Sequence, residues 1–438
     1  MGVINTIKKY LKQSVFLQRL GVYFTGSVIV KIISLLIFFY IVKILTIDEF
    51  AQFVLYSIAV DLLVVISGFG LASTMLRIDN LGKAIMLSNS LVIIWVSSFL
   101  VAVFFIWGLP YLVTVAGENY SFLKDYGVIV VVVFVAKSCI SLLRGFLISI
   151  EDPKRYTRLN IFMEVSFFSS LAFCTLVLIK IETNILEYVL MSQALSVVLT
   201  LIYGFFLISD NLSFGKVSVK HARDIAIKSC AYWLKNIVGV FQMEATKIVL
   251  SIVSSTTMVG IYSFYSLMVN KASFVIGIFD KVYVPKIKKL YTSCDLDKTK
   301  HAHHLVKKVT KFYAYSSLLL LSFAGLVFVS ISKNKSFFSF FQKDYLEYLD
   351  LLYLIIVSWV FGNFRSFYDV WQYMDESSIG VRLVAAHTVV LALLYYGGLI
   401  FYSYFDVYGL VYNQILIILL YLLFSLHNYR KFCSSRLR

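Results

Sequence analysis

Charge is scarce in this chain, and acidic charge is scarcest. Of 438 residues, 24 are Asp or Glu, 40 are Lys or Arg, and 15% are charged in all. A soluble domain carries about 25% charged residues, so a chain this poor in them cannot cover a water-facing surface of its own size. Proline is nearly absent: Pro110, Pro153 and Pro285 are expected at span ends or in loops, which excludes proline kinks from span interiors. Bending then falls to glycine, with Gly68, Gly70, Gly397 and Gly398 as the positions to watch; close helix packing is the other reading of these glycines. The five cysteines (Cys139, Cys174, Cys230, Cys294 and Cys433) show no CxxC or zinc spacing, and all five read as unpaired thiols. There is no P-loop, no HExxH and no nucleophile elbow, which excludes ATP hydrolysis by the P-loop route. His301, His303 and His304 sit in a lysine-rich loop without a cysteine partner and read as solvated. No metal, no cofactor and no enzymatic activity are expected. The N-terminus lacks a short apolar run followed by a small-residue cleavage site; it opens instead on Lys8, Lys9, Lys12 and Arg19, a stretch expected to stay in the cytoplasm.

Apolar residues fill the space that charge leaves. Hydrophobic residues make up 60% of the chain and the mean hydropathy is +0.84. The apolar runs are about 20 residues long and apolar all round, which reads as spanning helices; barrel strands would be about ten residues of strict alternation. The fold class is therefore an all-α polytopic membrane protein. About twelve spans are expected, near 20–45, 50–76, 84–109, 126–150, 159–179, 185–208, 229–253, 259–283, 311–332, 349–372, 379–402 and 407–427. The joints at 46–49, 254–258 and 403–406 are the weakest divisions. The net charge of +16 is not a nucleic-acid signature, because the excess lies in short loops between spans. With both termini inside, most loop Lys and Arg fall on the inner side, as the positive-inside rule requires. The densest inner loop, 284–311, holds Lys286, Lys288, Lys289, Lys298, Lys300, Lys307, Lys308 and Lys311; it serves as a topology anchor or meets anionic lipid headgroups.

A second basic linker, 210–228, interleaves Lys216, Lys220, Arg223 and Lys228 with Val217, Val219, Ile225 and Ile227, the pattern of a short interfacial helix. It divides the chain into two six-helix lobes, 1–209 and 229–438, the second ending in a basic cytoplasmic tail. Sliding the first half by 209 positions aligns Tyr23 with Tyr232, Tyr56-Ser57 with Tyr265-Ser266, Gly68 with Gly277 and Asp61 with Asn270. An even number of spans per half makes such repeats parallel.

Seven basic side chains lie well away from the ends of the spans: Lys31, Lys137, Arg144, Lys235, Lys247, Lys271 and Arg365. Each costs about 2.5–3.5 kcal/mol at a bilayer centre, together about 20 kcal/mol, too much to leave facing lipid. Glu244 and Lys247 are three apart, and Arg365 and Asp369 four apart; on a helix these are structural charge pairs. The other five basic residues have no acidic neighbour at helical spacing, apart from Asp61 and Glu164 on other spans. Those two carboxylates are assigned to charge balance with Lys31 or Lys137, or to coupling with a proton or sodium ion. Seven basic groups against four acidic ones leave about three positive charges at membrane depth, which suits an anionic group that enters and leaves. Phosphate or pyrophosphate is the natural candidate. The expected site is Lys31, Lys137, Arg144, Lys235 and Lys271.

The stretch from Tyr23 to Arg77 resembles the Wzx-type O-antigen and oligosaccharide flippases of the multidrug/oligosaccharidyl-lipid/polysaccharide (MOP) exporter superfamily. The carrying residues are the turn Asp48-Glu49-Phe50-Ala51-Gln52-Phe53 and the span end Gly68-Phe69-Gly70-Leu71 with Arg77. Ala51 stands where the family usually has glycine, and Gly68-Phe69 where it has aspartate before Gly-Leu. MVGIYSFYSLM at 258–268 looks like the same turn in the second half, and YGLVYNQ at 408–414 resembles the tight entry to the last span. The resemblance implies two lobes around a central cationic cavity, working by alternating access in a bacterial inner membrane. It implies an undecaprenyl-pyrophosphate-linked oligosaccharide as substrate, with membrane lipids and the polymerase and chain-length proteins of the same pathway as partners. Two other readings stand beside it: a cation-coupled multidrug exporter of the same superfamily, whose cavity should be acidic, and an O-antigen polymerase or ligase, which needs a larger external loop than 110–125 or 333–348 provides.

Overall fold

The computed structural model describes residues 15–75, 82–178, 184–212, 215, 217–272, 345, 347–368 and 379–436, with scattered positions between 297 and 319. Most of the expected span 311–332 and of the basic loop 284–311, and Lys8, Lys9, Lys12, Arg77, His303 and Asp369, lie outside the described residues. Among those described, the regular structure is helical: α1 Val15–Ile44, α2 Ile47–Gly68, α3 Leu71–Met75, α4 Lys83–Ala116, α5 Leu123–Ser149, α6 Pro153–Leu178, α7 Ile185–Ile208, α8 Val219–Val253, α9 Thr256–Ala272, α10 Leu349–Tyr368 and α11 Ile379–Arg436. Eight stretches among the described residues are long and apolar enough to cross a membrane. One of them, Ala385–Arg430, covers two expected spans, because α11 is two helices meeting at Asp406 (φ 55°, ψ −143°).

The tight joints have local causes. Between α1 and α2 only Leu45 and Thr46 intervene. Thr46 Oγ1 accepts from Glu49 N at 3.3 Å while Glu49 Oε2 accepts from Thr46 N at 2.8 Å. This reciprocal capping satisfies two backbone donors left over at the helix start. One half of this device recurs between α8 and α9, where Ser255 Oγ accepts from Met258 N at 3.3 Å. The two joints are one repeat apart. α1 ends at Ile44 and α8 at Val253; α2 begins at Ile47 and α9 at Thr256, each 209 positions on. Tyr56 and Tyr265, aligned by that offset, are both fully buried. The weak sequence repeat is thus a repeat of structure. α6 starts on Pro153, whose missing N–H costs nothing at the first helical position, and Asp152 Oδ1 caps it by accepting from Arg155 N at 3.0 Å.

Pro110 lies at the end of the candidate span Lys83–Tyr111, as expected, and α4 runs on past it to Ala116. One of the sequence expectations needs correction. The stretch from Val219 is no separate interfacial helix but the start of α8, continuous to Val253. No glycine or proline interrupts 219–238, so nothing stops the helix there. Its start is capped by Ser218, whose Oγ accepts from His221 N, and it is tied to α4 by Asn89 Oδ1, which accepts from Ser218 N at 3.1 Å.

The chain separates into two compact units, Met1–Phe241 and Gln242–Arg438, with the division inside α8. In the first unit α5 is the central helix, packed on α2, α3, α4, α6 and α7; it is the most buried of the candidate spans. Its core gathers Leu71, Met75, Leu87, Leu91, Leu142, Leu143, Phe146, Leu159 and Ile225. Small and hydroxyl residues let the helices approach, as they must where lipid gives no hydrophobic drive. Ser67 and Ser138 hydroxyls meet at 2.6 Å, Ser166 and Ser196 at 2.8 Å, and Tyr40 donates to Thr175 Oγ1 at 2.7 Å. In the second unit, α10 packs on α9 and α11, and the two arms of α11 fold against each other, with Asn413 Nδ2 donating to Leu394 O at 3.1 Å. A Cβ on Gly397 would stand 2.7 Å from Asn413 Oδ1, so that glycine serves close packing.

Candidate functional site

α2 stops at Phe69 and Gly70, both with positive φ (49° and 67°), and resumes as α3. The break frees carbonyl groups at the end of α2, and neighbouring helices supply the donors. The Trp233 indole of α8 donates to Ile66 O at 2.8 Å, and Ser97 of α4 donates to Ser67 O at 2.6 Å. Phe69 stacks on Trp233 with ring centroids 4.8 Å apart. A Cβ on Gly70 would stand 2.6 Å from Trp233 N, so the break and the docking of α8 depend on the same residue.

The first unit carries four of the five expected cations: Lys31 on α1, Lys137 and Arg144 on α5, and Lys235 on α8. Lys137 Nζ lies 3.4 Å from Asp61 Oδ1 of α2; the two side chains are 25% and 55% exposed. Arg144 is half-buried. Its Nη2 lies 3.1 Å from Met163 Sδ of α6, and its Nε is buried without a hydrogen-bond partner among the described residues. Glu164, next to Met163, acts electrostatically on Arg144. Lys31 is half-buried. α1 and α6 run parallel between the Gly26–Thr157 contact and the Tyr40–Thr175 hydrogen bond, which sets Lys31 near the level of Met163 and Glu164. Lys235, also half-buried, lies two residues beyond the Trp233 anchor.

Four cations against two carboxylates leave these six positions, set away from the span ends, with two excess positive charges. Such a surface favours an anion that can exchange partners with Asp61 and Glu164. Lys271, the fifth expected cation, ends α9 in the second unit and is half-buried. The second unit also holds the pair Lys247–Glu244, 2.6 Å apart, with Lys247 buried. Arg365 lies on α10 with its side chain outside the described residues, as Asp369 is altogether. Cys139, Cys174 and Cys230 are free thiols.

One polar cluster escapes the sequence reading. His387, on the first arm of α11, is buried (6% exposed). Its Nδ1 lies 3.0 Å from Gln242 Oε1 of α8, its Nε2 lies 2.9 Å from the Tyr421 hydroxyl of the second arm, and Gln242 Nε2 donates to its backbone oxygen. The available signal was isolation: His387 is the one ionisable group other than tyrosine in residues 383–405.

The two helical units and the repeat of their tight joints define an all-helical multi-pass membrane protein. Solved structures of the same fold include a multidrug resistance MATE family transporter of the MOP superfamily in an outward-facing conformation (13% identity, TM-score 0.72, covering 97% of this chain and 96% of that one). They include an inward-facing conformation (13% identity, TM-score 0.67, 95% of each chain) and a Vibrio cholerae MATE transporter (11% identity, TM-score 0.69, 96% of each chain). At these identities the likeness establishes the fold. No curated protein matches the sequence. Residues 16–291 match the family described as polysaccharide biosynthesis protein, and the chain belongs to that family, in line with its resemblance to Wzx-type flippases.

Proposed function

We propose that this protein is a flippase that moves an undecaprenyl-pyrophosphate-linked oligosaccharide, an O-antigen or similar repeat unit, from the cytoplasmic to the periplasmic leaflet of a bacterial inner membrane. The single observation that carries the reading is the surplus of cations at membrane depth in the first unit, two of them on its central and most buried span. The pyrophosphate exchanges for Asp61 at Lys137 and meets Arg144, Lys31 and Lys235. Membership in a polysaccharide biosynthesis family supports the carbohydrate part of the substrate. Lys271 of the second unit is a further candidate, tested by its own alanine variant. Both termini are cytoplasmic in this reading, polymerase and chain-length proteins of the same pathway are its partners, and translocation proceeds by alternating access without chemistry on the substrate.

A cation-coupled multidrug exporter is the second reading, favoured by the multidrug transporters among the structural neighbours. A basic surface repels organic cations, which weighs against it. The test is export: Lys31→Ala and Lys137→Ala should each abolish surface polysaccharide at unchanged protein level. Full export by both variants would sink the proposed site, and drug resistance conferred by the wild type would favour the second reading.

A further inference from the structure

We propose that His387, Gln242 and Tyr421 form a proton-binding site in the second unit, with the imidazole of His387 as the group that takes up and releases the proton. An ionisable group inside a membrane-spanning helix is costly and marks a functional site by default. His387 is buried and lies within the apolar stretch Ala385–Arg430, which also holds Tyr421; Gln242 lies within Tyr232–Val253. Three helical segments thus converge on one imidazole.

The hydrogen bonds fix what the ring can do. An amide oxygen only accepts, so the 3.0 Å contact with Gln242 Oε1 requires the proton of a neutral ring to sit on Nδ1. Nε2 is then an acceptor, and the Tyr421 hydroxyl donates to it at 2.9 Å. When Nε2 takes up a proton, the direction of that bond reverses and the Tyr421 oxygen accepts. A phenol can do either. Both protonation states therefore keep both ring contacts, and the charged state gains two charge-assisted bonds. The amide of Gln242, which also donates to the backbone oxygen of His387, cannot turn over without losing that second bond, so the ring orientation is held.

On its own arm His387 lies five residues from Arg382, whose side chain is outside the described residues. On α8, Glu244 and Lys247 neutralise each other at 2.6 Å. On the second arm of α11 the nearest ionisable group is Tyr421 itself, stacked on Phe424. α10, which packs on α11, brings Asp350 and Tyr353, both exposed, and Arg365 and Tyr368, whose side chains lie outside the described residues. Among the described residues the hydrogen-bonded cluster consists of an imidazole, an amide and a phenol. Sodium prefers several hard oxygen ligands over imidazole, so the chemistry selects a proton. Of the two carboxylates considered for charge balance or coupling, Asp61 lies 3.4 Å from Lys137 and Glu164 acts electrostatically on Arg144.

The inference rests on the transport reading only for its consequence, coupling; proton binding itself is measured without substrate. The full chain in lipid nanodiscs, labelled with nitrogen-15 histidine, is titrated from pH 5 to 8.5 by NMR. One ring resonance, missing in His387→Gln, should move from the neutral Nδ1–H form to the doubly protonated form. In Tyr421→Phe its midpoint should shift to lower pH, because the lost oxygen serves the charged ring more than the neutral one. In cells, a protonophore should reduce wild-type polysaccharide export at least tenfold. Export by Tyr421→Phe should show a displaced pH dependence, and His387→Gln should no longer respond to the gradient. Thermal melting of each variant checks folding, and Tyr421→Phe carries the test if His387→Gln does not fold. A ring that stays neutral throughout, or an unchanged gradient response in a folded His387→Gln protein, would overturn the proposal. If the wild type exports no polysaccharide while the ring titrates as described, the transport reading fails and the proton site stands.

Discussion

Asp61→Asn isolates the electrostatics of the proposed anion site. Asp61 lies 3.4 Å from Lys137 and competes with any anion for that ammonium. Two unit charges at this separation interact by about 5 kcal/mol at an effective dielectric constant near 20, and by about 1 kcal/mol in bulk water. Asp61 is 55% exposed and Lys137 25%, so the value belongs near the lower end, about 1–2 kcal/mol. Removing the carboxylate charge while keeping its shape should therefore tighten anion binding about 5–30-fold. The assay is equilibrium binding of undecaprenyl pyrophosphate to the purified chain in neutral-lipid nanodiscs at low salt. It is run on the wild type, Asp61→Asn, Lys137→Ala and the double variant. Lys137→Ala should weaken binding about tenfold or more, and the benefit of Asp61→Asn should shrink in its presence, because the two residues are coupled. Unchanged affinity in both single variants would refute the reasoning and reduce the pair to a structural cross-link between α2 and α5.

Three stability predictions follow from local geometry. Gly70→Ala places a Cβ 2.6 Å from Trp233 N at a φ of 67° and should cost at least about 1–3 kcal/mol, read as a lower melting temperature and quenching change at Trp233. Thr46→Ala removes one half of the capping box between α1 and α2 and should cost about 1 kcal/mol in the same melting assay. Lys247→Met leaves Glu244 half-buried and unpaired and should destabilise by about 3–5 kcal/mol, whereas adding Glu244→Gln should recover most of the loss; equal melting of the single and double variants would contradict the pairing.

The spans were legible because lipid imposes a simple rule: apolar runs of helix length, with backbone bonds satisfied inside each run. The joints were harder. Leu45–Thr46 and Ser254–Ser255 are two residues long, and a single residue, Asp406, parts the two arms of α11. No hydropathy window resolves so short a break, yet the caps Thr46 and Ser255 mark the first two. The start of α8 reads as a separate interfacial helix because its lysines interrupt the apolar run; its tie to α4 through Asn89 and to α2 through Trp233 depends on residues far away in sequence. In the candidate site, Lys31, Lys137, Arg144 and Lys235 are proposed from their depth along each span, and the spacing of Glu244 and Lys247 matches the ion pair they form. The partner chosen by Asp61 depended on which helices pack together. His387 was passed over because its partners, Gln242 and Tyr421, are neutral and lie 145 and 34 positions away.

The most direct measurement is the sidedness of lipid-linked oligosaccharide in cells. Its gene is deleted, then restored as wild type or as Lys137→Ala, and an impermeant reagent reads how much of the lipid-linked sugar faces the periplasm. The account predicts accumulation in the cytoplasmic leaflet for the deletion and for Lys137→Ala, and outward delivery for the wild type. Normal outward delivery in the deleted cells, or in Lys137→Ala cells with wild-type protein levels, would contradict it.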